Sequence, residues 1–152
     1  MKNLGRNEFL NYYFEAHNVG FSFCQKIRIG IRKGVELERI KSFADWFYAN
    51  ELLPHMILEE ELMDKVLGKT NDFVKKSMTK HRRIKRLFTQ PNELLKQLNF
   101  IEEELECSIR FENKQFIQEL EKCGTMLDDF IQKIPLKKLP SFQLNWKDEF
   151  WN

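Results

Sequence analysis

His55 and Glu59 stand four residues apart in the stretch from Asn50 to Glu61, NELLPHMILEEE. Helical spacing puts both side chains on one face, one turn apart. Ile40, Phe43, Phe47, Glu51, Leu58, Leu62 and Val66 share that spacing, so the face is the inward one. A buried imidazole and a buried carboxylate are costly unless something pairs with them, and a metal ion is one such partner. The other two histidines, His17 and His81, lie on apolar stripes of other segments, and Glu112 occupies a stripe position on a fourth. One histidine on an apolar face is ordinarily a core residue hydrogen-bonded to its neighbours. Three of three, on three helices and with two inward carboxylates, point to metal. Imidazole and carboxylate together suit iron, manganese or zinc. The candidate metal ligands are therefore His17, His55, Glu59, His81 and Glu112.

Four long helical segments must position them. The first runs over 7–32, with a stripe of Leu10, Phe14, His17, Phe21, Cys24, Arg28 and Ile31. The second runs over 35–67 and contains Pro54, which predicts a kink one turn ahead of it. The third runs over 71–88, capped by Asn71 or Thr70, with Val74, Met78, His81, Ile84 and Phe88 inward. Pro91 fits the first turn of the fourth, which extends to about Lys122 with Leu94, Leu98, Ile101, Leu105, Ser108, Glu112, Phe116 and Leu120 inward. Gly124 reads as its stop, and 126–134 as a short further helix. Pro135, Pro140 and the aromatic tail of Phe142, Trp146, Phe150 and Trp151 pack across the bundle or sit in an interface.

These segments predict an all-α protein: an antiparallel up-down four-helix bundle over 1–124, with a C-terminal helix and aromatic tail over 125–152 packing on it. At 152 residues the chain reads as one core-forming domain. Six glycines and four prolines are too few for a turn-dense β fold. A net charge of +2 predicts no nucleic-acid partner. The basic run Lys75, Lys76, Lys80, Arg82, Arg83, Lys85 and Arg86 reads as a solvated face paired with the acidic fourth helix, because no aromatic interleaving accompanies it. No apolar run reaches membrane-spanning length and no signal-peptide pattern opens the sequence, so no membrane partner is expected. Cys24, Cys107 and Cys123 are odd in number and lack a CxxC pattern, which reads as free thiols in the cytoplasm.

The ordered set resembles hemerythrin-like proteins of the HHE cation-binding type. The resemblance rests on Glu15-Ala16-His17, Ile27 to Ile31, Trp46-Phe47, Glu51 to His55, Glu59-Glu60, Lys80 to Ile84 and Ser108 to Glu112. It implies a four-helix bundle holding two iron ions. Glu59 and Glu112 would be bridges and His17, His55 and His81 terminal ligands. Dioxygen binding, redox or oxygen sensing, a response to nitrosative stress, or iron handling would be the role, more than multi-step catalysis. One position departs: the family has histidine where this chain has Ser108. A serine hydroxyl is too short and too weak a ligand to replace it, so the site becomes an incomplete dinuclear one holding one or two ions. By the family's pattern His55 and His81 would serve one ion, and His17 the ion that loses a histidine.

Several neighbours bear on that gap. Glu104 is one turn before Ser108, although Glu102, Glu103, Glu104 and Glu106 read more simply as a solvated acidic face. Tyr13 is one turn before His17 and could bring a phenol to the pocket, although it reads more simply as a core or rim aromatic. Cys107 points about 100° away from Ser108. Glu51 could orient His55 or pair with the first helix. The competing functional reading is a degenerate, metal-free bundle acting as an interaction module. A peroxidase-like or nitric-oxide-reducing enzyme is a third.

Overall fold

Residues 5–134 and 144–152 are described by a computed structural model, and every regular element among them is helical. Pro135, Pro140 and Phe142 lie outside the described residues. The first helix, α1, spans Arg6–Arg32. Its buried face is Phe9, Tyr13, Ala16, His17, Gly20, Phe23, Cys24, Ile27 and Gly30. That face is turned from the expected stripe: Phe14 is exposed, and Leu10, Phe21, Arg28 and Ile31 lie on the flanks. Two glycines explain the rotation. A Cβ on Gly20 would stand 2.5 Å from Ile109 Cδ1, and one on Gly30 would stand 2.6 Å from Phe150 Cε1. These positions are inward because they are bare, which a count of apolar side chains does not register.

The second segment is helical from α2 (Leu37–Phe47) through α3 (Leu53–Leu62), with a π-helical turn at Tyr48–Leu52 between them and another at Met63–Leu67 after them. The first π turn is the distortion expected ahead of Pro54. Proline offers no N–H to the carbonyl of Asn50. The Leu53 N–H instead donates to the Tyr48 carbonyl, five residues back. The second π turn closes at Gly68, whose φ of 87° favours glycine.

Helix α4 spans Asp72–Thr89 and is capped by Asn71, whose side-chain oxygen accepts from the Val74 N–H at 3.1 Å. Helix α5 spans Leu94–Glu121, so Pro91 precedes it and is not in its first turn. The loop is instead shaped by Asn92, whose side chain accepts from the Glu93 N–H. Helix α6 spans Gly124–Gln132. Gly124 opens it and does not terminate α5. The break falls at Lys122–Cys123, and the Arg6 guanidinium, ion-paired with Asp128, hydrogen-bonds the Gly124 carbonyl.

Helix α5 packs along both α1 and α4, and α2 lies on α1 and α5. The apolar interior forms two clusters. One is built around Phe23, Phe43, Phe47, Phe88 and Leu98, and the other around Phe9, Leu62, Phe73, Phe116 and Leu127. Helices α1 and α4 run from the second cluster to the first. The α2–α3 segment and α5 run the opposite way. The tail joins the first cluster through buried Phe150 and partly buried Trp146 and Trp151, while α6 joins the second through Leu127, Phe130 and Ile131.

Gly30→Ala tests the tail's packing. Alanine favours helix by about 1 kcal/mol over glycine. Its Cβ would press on Phe150 at 2.6 and 2.9 Å and on Ile40 at 2.9 Å, and overpacking costs about 1–3 kcal/mol. A net loss of about 1 kcal/mol in urea unfolding is expected, with a changed tryptophan emission from the displaced tail. Increased stability would show that the contact is slack.

Candidate metal centre

On each of four segments a polar side chain interrupts the apolar face where the two clusters meet. His17 falls between Tyr13 and Phe23 on α1, and Glu112 between Ile109 and Phe116 on α5. His81 falls between Val74 and Ile84 on α4. His55 and Glu59 lie on α3. None of the five exposes more than 6% of its surface. All five sequence-predicted residues are brought together.

The Nε2 atoms of the imidazoles face the two carboxylates. His55 Nε2 is 3.2 Å from Glu59 Oε2, and His17 Nε2 is 3.6 Å from the same oxygen and 3.2 Å from Glu112 Oε2. His81 Nε2 is 2.8 Å from Glu59 Oε1 and 2.8 Å from Glu112 Oε1. Two ligand sets result, sharing Glu59: His17, His55 and Glu59, and Glu59, His81 and Glu112. Within each set the donor atoms lie within 4.8 Å of one another. Donors at about 2.0–2.2 Å from one ion stand roughly 3–3.5 Å apart, so small side-chain shifts suffice to enclose a cation. The donor atoms group His55 with His17 and leave His81 with the two carboxylates, a grouping that differs from the His55–His81 pairing implied by the resemblance.

The hydrogen bonds favour this use of the donors. His17 Nδ1 bonds the side-chain oxygen of Asn113. An N–H there leaves Nε2 with a lone pair facing the carboxylates. His17 Nε2 has hydrogen-bond alignment with neither glutamate, and Glu59 Oε1 likewise lacks a hydrogen-bond partner. His81 Nε2 carries at most one proton, aligned with Glu112, so its equal approach to Glu59 satisfies only one oxygen. Buried polar atoms in this state are what a cation would satisfy. These His/Glu groups could hold a metal ion.

Protons fill the same role in the metal-free chain. Burial opposes the His17 imidazolium, but Glu112 and Glu59 outweigh it and push its pKa up to about 10. Burial likewise opposes charge on His81, and Glu112, Glu59 and Glu60 raise it well above the ordinary 6.5. Glu59 is held well below its ordinary value, against burial, by His55, His17 and His81. The raised histidines contribute stability that is fully present below about pH 6.5 and is lost as pH rises toward 10. Glu59 contributes stability present above its ordinary 4.5 and lost as pH falls toward its lowered folded value. The unfolding free energy of metal-free protein should therefore fall between pH 6 and pH 9, by on the order of 1 kcal/mol or more, and the urea midpoint with it. A flat or rising midpoint over that window would refute the imidazolium–carboxylate pairing.

A cavity of about 20 Å³ adjoins the carboxylates, lined in part by Ala16, Gly20, Phe47, Leu105, Ser108 and Ile109. That is room for one water-sized molecule. Ser108 is buried there, on the inward face, one turn before Glu112. Glu104 does not join the cluster: it faces Arg83 at 3.5 Å near the surface. Cys107 is exposed, as its angle predicts, and the three cysteines are free. Glu102 is not part of a solvated face. It is buried and accepts from Arg28 at 2.6 Å. The basic face of α4 does meet acids, through Arg83 with Glu104 and Lys85 with Glu60. Glu51 lies near α1, where it adds to burial in raising the Tyr12 phenol.

Tyr13 belongs to the site more closely than a rim aromatic would. Its hydroxyl donates to Glu112 Oε2 at 3.3 Å, and its ring centroid lies 4.2 Å from that of His17. Burial, then Glu59 and Glu112, raise its pKa well above the usual phenol value, so it stays a donor. Asn113 was missed in sequence, and Glu60 was given no role of its own there. Each adjoins a ligand in the chain, and only the packing shows that Asn113 reaches His17 and that Glu60 Oε2 stands 3.9 Å from His81 Nδ1. Among the described residues no helix is long and apolar enough to cross a membrane. No family model, curated protein or solved structure matches the chain.

Proposed function

We propose that this chain is a hemerythrin-like metal-binding protein. In this reading it is an antiparallel four-helix bundle holding iron at a dinuclear site that lacks one histidine. Its role is to bind or sense oxygen or nitric oxide, or to handle iron, in the cytoplasm. The observation that carries the reading is the convergence of His17, His55, Glu59, His81 and Glu112 from α1, α3, α4 and α5 into one buried cluster. The alternating directions of the four segments support the bundle, and three free thiols suit a reducing compartment.

Iron bound there would supply an open coordination position and one-electron chemistry. The chain's own residues do the rest. Asn113 fixes the ring of His17, Tyr13 donates to Glu112, and the apolar clusters on either side exclude bulk water. The small cavity beside Ser108 leaves room for a molecule about the size of water.

Protein produced with iron should carry close to stoichiometric metal by elemental analysis, with absorption in air above that of the apoprotein. A preparation that is metal-free and takes up no ferrous ion anaerobically would overturn the reading. In that case the metal-free interaction module is the alternative. Ser108 and the capacity of protons to satisfy the same cluster favour it, and the apolar groove between α3 and α6, where Ile57 and Met126 are exposed, is the surface it would offer.

A further inference from the structure

We infer that the two ligand sets are unequal cation sites. The His17–His55–Glu59 set fills first with a nitrogen-accepting transition ion. The Glu59–His81–Glu112 set fills second and favours a harder divalent ion such as manganese. The inference rests on the metal-centre reading above and adds to it an order of filling and a difference in selectivity.

Donor chemistry separates the sets. The first offers two imidazole nitrogens and one carboxylate, and the second offers one imidazole and two carboxylates. Nitrogen-rich sites suit zinc and iron, while carboxylate and water suit manganese. Ser108, one turn before Glu112, brings only a hydroxyl to the water-sized cavity that borders both sets. Preorganisation acts in the same direction. His17 is fixed by Asn113 and packed on Tyr13, whereas His81 Nδ1 is 3.9 Å from a Glu60 oxygen that lies 3.1 Å from Lys85.

Charge sets the order. Together the two sets offer two carboxylates, Glu59, which they share, and Glu112, which belongs to the second. One divalent ion is balanced by the pair. A second leaves a surplus of about two positive charges in a cluster that is almost wholly buried. The second ion must therefore bind more weakly and take up compensating water or hydroxide through the cavity.

The test uses the full chain stripped of metal, with zinc(II) and manganese(II) as probes. Calorimetric titration with zinc should show two steps, the second weaker by about 100-fold or more. After one equivalent of zinc, the protein should remove one equivalent of manganese from the free-ion electron paramagnetic resonance signal. His17→Ala should lose the tight zinc step and keep manganese uptake, and Glu112→Gln should do the reverse. Ser108→His should tighten the second zinc step and weaken manganese uptake relative to it. Circular dichroism checks each fold. If His17→Ala fails to fold, His55→Ala addresses the same set, and Ser108→His removes no ligand. Two equal zinc steps, one zinc with no manganese uptake, or equal losses in His17→Ala and Glu112→Gln would overturn the inference while leaving a metal centre. Uptake of neither ion would overturn the metal-centre reading as well.

Discussion

Glu59→Gln is expected to abolish metal uptake at both ligand sets. Glu59 is the residue they share, with Oε2 toward His55 and His17 and Oε1 toward His81. Glutamine keeps the shape, removes the charge and turns one oxygen into an N–H donor. That donor then faces imidazole nitrogens whose lone pairs are needed for a cation. Loss of a residue that merely orients a ligand costs about 10–100-fold in metal affinity, so loss of a shared ligand should exceed about 100-fold for each ion. The metal-free protein should suffer too. Breaking a buried ion pair by removing one partner costs about 3–5 kcal/mol, moderated here because Glu112 still faces His17 and His81. Glu60→Gln is the matched control. Its carboxylate is partly exposed and paired with Lys85 at 3.1 Å, and metal content should change by less than about threefold. Stoichiometric iron in Glu59→Gln would show that the metal is held without Glu59 and would overturn its place as the shared ligand.

The five clustered residues were legible because helical periodicity reports which side chains point inward, and an inward histidine or glutamate is conspicuous. Periodicity weighs side chains, however, and α1 is seated partly by their absence. Gly20 and Gly30 let Ile109 and Phe150 approach, which turns Phe14 outward and Tyr13 inward. The grouping of ligands was not legible either. Which imidazoles share a carboxylate depends on how α1 and α4 sit against α3, and no spacing within a helix encodes that. Pro54 announced a distortion through its missing N–H, and the structure resolves it as a π turn. Pro91 and Gly124 misled for a local reason. Each is compatible with a helix terminus, and the side chains of Asn92 and Arg6 bond the backbone at those two junctions. Asn113 has no sequence signal of its own, since a polar residue beside a buried glutamate is common on any helix.

Phe23→Ala and Phe116→Ala should cost similar stability and differ at the site. Both phenylalanines are fully buried. Phe23 stacks on Phe47 with ring centroids 4.0 Å apart and lies 5.2 Å from Phe43. Phe116 lies 4.8 Å from Tyr13 and 5.4 Å from Phe73. Truncating a buried phenylalanine costs about 3–5 kcal/mol, from lost burial and the cavity left behind. For a chain of this length that corresponds to a fall in Tm of roughly 6–20 °C. Phe23 belongs to the first apolar cluster and is nearly two turns from His17 along α1, so Phe23→Ala should retain metal at the temperature where it remains folded. Phe116 is one turn beyond Glu112 and supports the Tyr13 ring that packs on His17. Phe116→Ala should free Tyr13 to move, weaken its bond to Glu112 and lower metal affinity in addition to stability. Thermal unfolding with and without iron separates the two effects. The increment that metal adds to Tm should persist in Phe23→Ala and shrink in Phe116→Ala, because binding stabilises the folded state in proportion to the logarithm of ligand over Kd. Equal increments in the two variants would mean that Tyr13 is held by the backbone of α1 alone and that the second cluster does not support the ligands.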